Sequence, residues 1–448
     1  MYRKDSLIIE EWLKSSGKAL LVTGARQIGK TWLIREEIAK SEYSKFEVNF
    51  IDQPDLVDYL NVKMSAEEFL VKLKMIMPED CKPQETIVFF DEIQKCPEIV
   101  TKIKFLVEEG SFKYVMSGSL LGVELRGIAS VPVGYLTVLR MYPMDFEEFM
   151  IANNVSRMTL EMLKEKFETC QPVDEFIHQK LLAMFFIYLI VGGMPDAVKT
   201  YIATKDIREV DKVQRDIVML YKEDFSQYEN EDKKLKLISI YDIIPAELNK
   251  QNKKFVFTML DKELKFDRYE NSFLWLKDAG VALPVYNVEA PVIPLKASKS
   301  SNVFRLFSND TGLLTSAYPA ETKLELINKN SEVNNGAHFE NAVVQQLMAN
   351  GLEPYFCKKK NIGELDVLVE MDGKVVPIEV KSGKAYKAHK SLDNFMKISD
   401  YHIEKAYVLS VANVEQEGAV VYLPIYMCYL LKERKIGKLI LDLDMEGL

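Results

Sequence analysis

The sequence contains few of the residues that build disulfide frameworks and zinc sites. Its five cysteines are scattered, odd in number and without a CxxC pair, which argues against both kinds of structure. None of its four histidines is spaced with another for metal binding, so we expect each to be structural. A reducing cytoplasm is the expected setting.

The sequence also lacks an excess of basic residues and a hydrophobic run of membrane-spanning length. The formal net charge of -9 argues against a protein coated in basic surface, although a local basic groove remains compatible with it. The most hydrophobic segment, residues 181–194, is too short to cross a bilayer and ends at Gly192-Gly193, which predicts a buried helix. The first residues lack the apolar core of a secretory signal. We therefore expect a cytoplasmic protein without membrane contact, divided into about two to four domains.

What the sequence does contain is a phosphate-binding loop pattern between a predicted strand and a predicted helix. The loop consists of Gly24, Ala25, Arg26, Gln27, Ile28, Gly29, Lys30 and Thr31. Its glycines allow the backbone amides to face phosphates, Lys30 would reach the outer phosphates, and the Thr31 hydroxyl would hold magnesium. The pattern predicts ATP and Mg²⁺ as cofactors, whereas the alternative is a glycine-rich turn that opens an ordinary helix.

An acidic pair completes the predicted nucleotide site. Residues 86–90 read as a buried strand that ends in Asp91 and Glu92. Asp91 would hold magnesium through water, and Glu92 is placed to polarise the attacking water, which predicts hydrolysis. Further strands predicted over residues 46–51, 113–117 and 136–139 complete an α/β pattern with a mostly parallel sheet.

The segments GARQIGKT, IVFFDEIQ, YVMSGSLLG and YPMDFEEF resemble the AAA-type P-loop ATPases of bacteria and archaea. The resemblance implies that Ser119, at the end of the fourth strand, senses the terminal phosphate. It also implies an arginine finger within a Gly-Arg pair, where this chain has Gly134-Tyr135. Arg126 and Arg140 are the substitutes we consider. Because the Gly-Arg pair is missing, hydrolysis is expected to be slow or partner-dependent. The resemblance also implies a site formed between subunits, so a homo-oligomer is an expected partner.

The middle third is predicted to be helical, and YLIVGGMPDAV, YKEDFSQY and NDTGLL resemble the same family. Their expected role is architectural. Helices predicted over residues 235–248, 255–264 and 269–278, followed by a strand-like run at 280–286, outline a winged-helix module. Such a module is suited to DNA binding or, because its third helix has little basic character, to packing and protein binding.

The last third contains a predicted hairpin with an acidic pair. An alternating strand, the turn Asp372-Gly373 and a return strand set a register in which Asp366 lies opposite Glu379. Lys381 follows two residues later, on the same face. Opposed carboxylates destabilise a sheet unless a positive group lies between them, and a divalent cation suits that place.

An acid followed by Glu-x-Lys resembles the core of restriction-endonuclease-like nucleases. The resemblance implies that Asp366 and Glu379 bind metal, with Glu340 from the preceding helix as a third ligand, and that Lys381 positions or activates the attacking water. The alternative is that these acids form structural ion pairs in a fold that has lost activity. Nearby lysines form either a local basic cluster suited to a phosphate backbone or a solvated face: Lys358, Lys359, Lys360, Lys381, Lys384, Lys387 and Lys390.

We therefore expect an α/β protein with three domains. These are a P-loop NTPase parallel-sheet domain over residues 1–170, a helical connector with a winged-helix-like module over 171–318, and an α/β restriction-endonuclease-like domain over 319–448. The expected function is an ATPase whose nucleotide state controls the nuclease-like module acting on DNA or RNA. The alternative is a regulatory switch or scaffold whose inactive nuclease-like domain binds a protein or nucleic-acid partner.

Overall fold

The computed structural model describes residues 1–119, 134–227, 231–250, 255, 270–327, 335–360 and 362–434. The helices are α1 Ser6–Ser15, α2 Lys30–Lys40, α3 Pro54–Leu60, α4 Ala66–Ile76, α5 Glu98–Glu109, α6 Phe146–Ala152, α7 Arg157–Thr169, α8 Glu175–Val191, α9 Pro195–Thr204, α10 Ile207–Gln227, α11 Glu231–Leu248, α12 Glu270–Asp278, α13 Thr311–Ser316, α14 Ala320–Ile327, α15 Gly336–Ala349 and α16 Lys390–Met396. The strands are β1 Ala19–Thr23, β2 Ser44–Asn49, β3 Thr86–Asp91, β4 Lys113–Gly118, β5 Leu136–Arg140, β6 Ala282–Val288, β7 Lys299–Ser308, β8 Tyr355–Lys359, β9 Gly363–Met371, β10 Lys374–Val380, β11 Ala406–Ser410, β12 Glu415–Glu417 and β13 Val420–Pro424.

The amino-terminal sheet is parallel, with the strand order β2-β3-β4-β1-β5 within the described residues. Strand β3 is buried along its whole length, as its continuous apolar run predicted. The register places Asn49 beside Asp91 and Thr23 beside Gly118. The carboxyl ends of β1, β3 and β4 therefore meet at one edge of the sheet. The predicted α/β architecture of this part is confirmed.

The carboxyl-terminal sheet is mixed, with the order β12-β13-β11-β10-β9-β8-β6-β7 within the described residues. Strands β8, β9 and β10 form an antiparallel meander, and β11 then lies parallel to β10. Asp372 and Gly373 have φ of 53° and 71°, the left-handed pair of a tight hairpin turn. The resulting register pairs Ile378 with Val367, as predicted for this hairpin.

Strands β6 and β7 belong to the carboxyl-terminal sheet, which differs from the expected wing and domain boundary. Tyr286 of β6 lies beside Tyr355 of β8 in a parallel pairing, and β6 and β7 form an antiparallel pair. The domain boundary expected near residue 318 would therefore divide a single sheet, with β6 and β7 on one side and β8 to β13 on the other. Helices α11 and α12 cover two of the three predicted helices, whereas residues 256–264 lie outside the described ranges. A periodic apolar pattern identifies a strand but does not identify its partner strand.

A continuous apolar core connects the two sheets through the helices between them. Phe185 and Phe186 of α8 contact Phe339 of α15, with ring centroids 6.1 and 5.8 Å apart. The predicted burial of the hydrophobic segment around residues 181–191 is confirmed. In the described part of the chain, no helix combines the length and the apolar character that a bilayer crossing requires.

Gly192 and Gly193 end α8 where three distant segments meet. The Gly193 carbonyl accepts a hydrogen bond from the Met144 amide at 2.7 Å, and the Gly193 amide donates to Asp310 at 2.6 Å. A Cβ at Gly193 would overlap the Met144 main chain, and a Cβ at Gly192 would overlap the Asp310 carboxylate. Only glycine fits at this close approach. The junction therefore brings together three of the segments that resemble the AAA-type ATPases: YPMDFEEF, YLIVGGMPDAV and NDTGLL.

Candidate nucleotide site and candidate carboxylate site

The predicted phosphate loop curls over the start of α2. Gly24 and Gly29 have φ of 137° and 90°, and Gln27 has φ of 62°. A Cβ at Gly24 would overlap the Met141 carbonyl, so this position requires glycine. Helix α2 begins at Lys30, directly after Gly29. The unpaired amides of its first turn and its positive dipole end face the loop, which is the arrangement that binds phosphate.

Lys30 is held inside this loop. Its ammonium donates hydrogen bonds to the carbonyl oxygens of Gly24 at 3.1 Å and Ala25 at 2.7 Å. The residue is only 7% exposed. Burial lowers the pKa of Lys30 to about 8, although the nearby carboxylates of Glu92 and Asp91 act in the opposite direction. A desolvated ammonium ion in this position gains most from an anionic ligand.

Asp91 and Thr31 meet at the edge of the parallel sheet. The Thr31 hydroxyl donates to the two Asp91 oxygens at 3.1 and 3.0 Å. The Ser117 hydroxyl also donates to Asp91, and the Asn49 amide does so at 3.4 Å. Burial raises the pKa of Asp91, and the bond from Ser117 opposes that shift. A hydroxyl and a carboxylate side by side are oxygen ligands that suit Mg²⁺ with its remaining waters. Asn49 is a site residue that the sequence analysis missed.

Glu92 and Ser119 are linked through Gln94. Glu92 follows β3 in a left-handed conformation, with φ of 56°, and its side chain lines the nucleotide cavity. The Gln94 amide donates to the Glu92 carboxylate and lies 3.4 Å from the Ser119 hydroxyl. Ser119 is buried. The expected base and the expected sensor thus share one neighbour, which no sequence signal had singled out.

A cavity of about 360 Å³ opens beside the loop. This volume lies within the range of small-molecule and cofactor sites. Helix α9 supplies one wall and α2 another, and the charged and aromatic lining includes Arg26, Lys30, Trp32, Arg35, Asp196 and Lys199. Arg140 is not part of this lining, because its guanidinium donates to the Lys277 carbonyl of α12 at 2.9 Å. Arg140 thus points away from the nucleotide cavity of its own chain, and Arg126 lies outside the described residues.

Helix α10, which belongs to the helical region between the two sheets, contacts the phosphate loop. The Arg26 guanidinium forms an ion pair with Asp224, a buried residue of α10. The Tyr221 hydroxyl donates to the Arg26 carbonyl at 3.2 Å, and the Asn309 amide lies 3.4 Å from the Tyr221 hydroxyl. Burial raises the pKa of Asp224 to about 6, and Arg26 opposes the shift. Arg26 of the phosphate loop is therefore held in place by helix α10, which is distant from the loop in sequence.

In the carboxyl-terminal sheet, Asp366, Glu379 and Lys381 lie together beside the hairpin. Asp366 Oδ2 accepts a hydrogen bond from the Val380 amide at 3.0 Å, and Lys381 Nζ lies 2.7 Å from Glu379 Oε1. Glu379 is 5% exposed, and its Oε2 has no hydrogen-bond partner. Burial raises the pKa of Glu379 to about 7; Asp366 raises it further, and Lys381 lowers it. These contacts agree with the side-by-side placement that the hairpin register predicts.

Glu340 lies in α15 and faces a buried arginine that the sequence analysis did not identify. Arg305 of β7 is 2% exposed, and its Nη1 lies 3.4 Å from Glu340 Oε2. The same nitrogen donates to the Asp366 carbonyl at 3.2 Å, and Nη2 donates to Glu364. The guanidinium carbon lies 4.5 Å from the Phe356 ring centroid. This cation therefore binds the carboxylate that was expected to bind metal.

Among the residues that the structure describes, no group of three or more His, Cys, Asp or Glu side chains is arranged to hold a metal ion. The expected three-carboxylate set of Glu340, Asp366 and Glu379 is thus not assembled. Glu340 is instead paired with Arg305, and this ion pair takes up the carboxylate that was expected to bind metal. The pair of Asp366 and Glu379, with one buried unpartnered oxygen, fits a divalent cation through two carboxylates.

Three of the seven lysines in the expected cluster form ion pairs with acids: Lys358, Lys381 and Lys387. Lys387 binds Glu415 and Glu417, and Lys358 forms an ion pair with Glu364. Such pairs reduce the positive potential that a phosphate backbone would meet. The two alternatives, a basic cluster suited to a phosphate backbone and a solvated face, both remain predictions.

Comparison with known proteins locates three regions. Residues 16–150 match a model described as an AAA domain, and residues 183–324 and 335–427 match two domains of unknown function, DUF8612 and DUF4143. A Walker-type ATPase of Pyrococcus abyssi is 14% identical at a TM-score of 0.43, over 70% of this chain and 95% of that chain. Cdc6p from Pyrobaculum aerophilum is 12% identical at a TM-score of 0.25, over 72% and 93%. A search of curated proteins gave no match. With the loop geometry, the first match identifies residues 16–150 as a P-loop ATPase domain of the AAA type.

Proposed function

We propose that this chain is an ATP-hydrolysing switch whose nucleotide state controls a carboxyl-terminal nuclease-like module acting on nucleic acid. The observation that carries the proposal is the contact chain between the two sites. Arg26 in the phosphate loop contacts Asp224 and Tyr221 of α10, and Tyr221 contacts Asn309. Asn309 directly follows β7, the strand that brings Arg305 to the carboxylate site. A ligand that moves the loop therefore acts on an element shared with the second site.

The groups proposed for hydrolysis, apart from the finger arginine, lie together in the nucleotide site. Lys30 and the loop amides would bind the outer phosphates, Thr31 would hold Mg²⁺ directly, and Asp91 would hold it through water. Bound Mg²⁺ neutralises charge on the phosphate oxygens. Glu92 polarises the attacking water, and Ser119 is placed through Gln94 to respond to the terminal phosphate.

The nuclease-like assignment rests on topology and on the acids. Helix α15, the meander β8-β9-β10, helix α16 and the parallel strand β11 follow one another, and the acid and the Glu-x-Lys segment that carry the resemblance lie on β9 and at the end of β10. Lys381 lies beside Glu379, where it would orient a water toward a phosphodiester. We propose Asp366 and Glu379 as the groups that hold the cation there.

The ATPase arm is tested by substitution of the loop lysine. Lys30→Ala should abolish ATP binding and hydrolysis, because it removes the cation that contacts the outer phosphates. Lys18→Ala is the matched control, because Lys18 is exposed at the other end of β1. Hydrolysis that survives Lys30→Ala would mean that the nucleotide site is misplaced.

The nuclease arm is tested with Mn²⁺ on single- and double-stranded DNA and RNA, with and without ATP. Cutting should be lost in Asp366→Asn and Lys381→Ala and kept in Lys397→Ala, an exposed lysine at the end of α16. ATP should change the cutting rate in wild type and not in Lys30→Ala. Cutting that persists in both site variants indicates a contaminating nuclease.

A second function, favoured by the paired lysines and by the absence of a three-carboxylate ligand set in the described residues, is a switch without cutting. In that case the nuclease-like domain binds a protein or nucleic-acid partner in a nucleotide-dependent manner. Nucleic-acid binding without cleavage on any substrate supports this function over the first.

The proposal also includes a cytoplasmic assembly of several copies. Among the described residues, Arg26 is paired with Asp224 and Arg35 with Glu47, which supports an arginine of another copy in the finger role. ATP turnover per chain should then rise with protein concentration, together with the sedimentation coefficient. Turnover independent of concentration argues against a shared site.

A further inference from the structure

We infer that Arg305 occupies the place of a second cation beside Glu340, so that the carboxylate site takes only the one divalent cation proposed above for Asp366 and Glu379. This inference rests on the proposed nuclease-like function and specifies the ligand of its site. It assigns Glu340 and Arg305 to positioning the site, and not to metal coordination.

The first observation is the unpartnered oxygen of Glu379. The side chain is 5% exposed, Oε1 contacts Lys381 at 2.7 Å, and Oε2 has no hydrogen-bond partner. Buried polar atoms are rarely left unpaired in native proteins. Asp366 lies close to the Glu379 carboxylate: its Oδ2 accepts from the amide of Val380, the residue after Glu379, and its charge acts on Glu379. A cation between the two carboxylates would satisfy the oxygen and remove the repulsion between like charges.

The second observation is the placement of Arg305. Its guanidinium contacts the Glu340 carboxylate, the Asp366 carbonyl and the Glu364 carboxylate, and it packs on the ring of Phe356. A guanidinium cannot lose its charge in a protein. Metal at Glu340 would have to displace a cation that is already held by two carboxylates and a carbonyl oxygen.

The carboxylate site is also built from two parts of the chain that are separated in sequence. Arg305 comes from β7, which pairs with β6 and lies before the meander that carries the acids. The cation-binding acids and the arginine that orders them therefore come from opposite sides of residue 318. The position of β7 sets how Glu340 and β9 are held.

The test is a Mn²⁺ titration of the nucleotide-free full chain, followed by electron paramagnetic resonance. An Asp91→Asn background keeps the ATPase site out of the count. One ion per chain is expected, with affinity reduced about tenfold or more in Asp366→Asn and Glu379→Gln, and changed less than about threefold in Glu340→Gln. Glu325→Gln, an exposed position on α14, is the matched control.

Arg305 variants supply the second measurement. Arg305→Lys keeps a cation and should retain one ion per chain, whereas Arg305→Gln should admit a second Mn²⁺ at Glu340, provided that circular dichroism shows a folded chain. Two ions in wild type, or loss of binding in Glu340→Gln, would overturn the inference. If two ions accompany metal-dependent cutting, the proposed function survives and the inference fails. Absence of both binding and cutting refutes both.

Discussion

The depressed pKa of Lys30 makes a quantitative prediction for nucleotide binding. Burial lowers this pKa to about 8 in the ligand-free protein, so the ammonium form is lost within an accessible pH range. A bound triphosphate stabilises the charged form and raises the pKa again. Binding must therefore take up protons above about pH 7, and affinity must fall as the pH rises through 8.

The size of the effect follows from the pKa of about 8 that burial gives Lys30. The protonated fraction of Lys30 is roughly nine-tenths at pH 7 and about one-tenth at pH 9. ATP affinity should consequently be about tenfold weaker at pH 9 than at pH 7, which corresponds to about 1.4 kcal/mol. At pH 8, about half a proton should be taken up for each ATP bound.

Isothermal titration with a non-hydrolysable ATP analogue measures both quantities. Titrations at pH 7, 8 and 9 give the affinities, and buffers with different ionisation enthalpies give the proton uptake. Lys18→Ala should reproduce the wild-type pH profile. Equal affinity at pH 7 and 9, without proton uptake, would refute the reasoning that burial desolvates Lys30 beside the phosphates.

Three further predictions concern the loop and the glycine junction. Gly193→Ala should lower the free energy of unfolding by about 3 kcal/mol or more, as measured by chemical denaturation. The added Cβ would overlap the Met144 main chain and break the hydrogen bond between Met144 and Gly193. Asp224→Asn should tighten ATP binding about two- to tenfold, because it removes a negative charge next to the loop, as read by fluorescence titration. Glu92→Gln should keep ATP binding and lower turnover about a hundredfold or more, because it removes the group that polarises water, as read by phosphate release.

Each of these has a matched control and a contrary result. Gly17→Ala should change stability by less than about 0.5 kcal/mol, since its Cβ meets nothing within 4 Å. Asp216→Asn, exposed on the same helix as Asp224, should leave ATP affinity unchanged. A stable Gly193→Ala protein, weaker ATP binding in Asp224→Asn, or full turnover in Glu92→Gln would each contradict the corresponding contact.

The features that could be predicted from the sequence are those whose backbone conformation is local. The glycine positions of the phosphate loop, the strand that ends at Asp91 and the Asp372-Gly373 turn all have conformations dictated by adjacent residues. Once the turn set the register, the proximity of Asp366 and Glu379 followed from the geometry of a two-residue repeat.

The features that escaped prediction depend on contacts between distant segments. Arg305 gave no signal, because a strand pattern does not reveal which sheet the strand will join. Asp224 belongs to an ordinary amphipathic helix, and its pairing with Arg26 appears only when α10 is placed against the loop. Glu340 was correctly located in a helix, but a metal was expected as its partner, and Arg305 comes from a strand distant in sequence.

The pairing of β6 with β8 bears on how this architecture can have been inherited. A recombination break between the regions matched by the second and third domain models would strip β8 of a neighbouring strand and leave Glu340 without its guanidinium. Proteins that exchanged only the region matched by the third domain model would expose an unpaired edge at β8 and leave Glu340 without a cationic partner. Genes that keep the two regions together are therefore the ones we expect to persist.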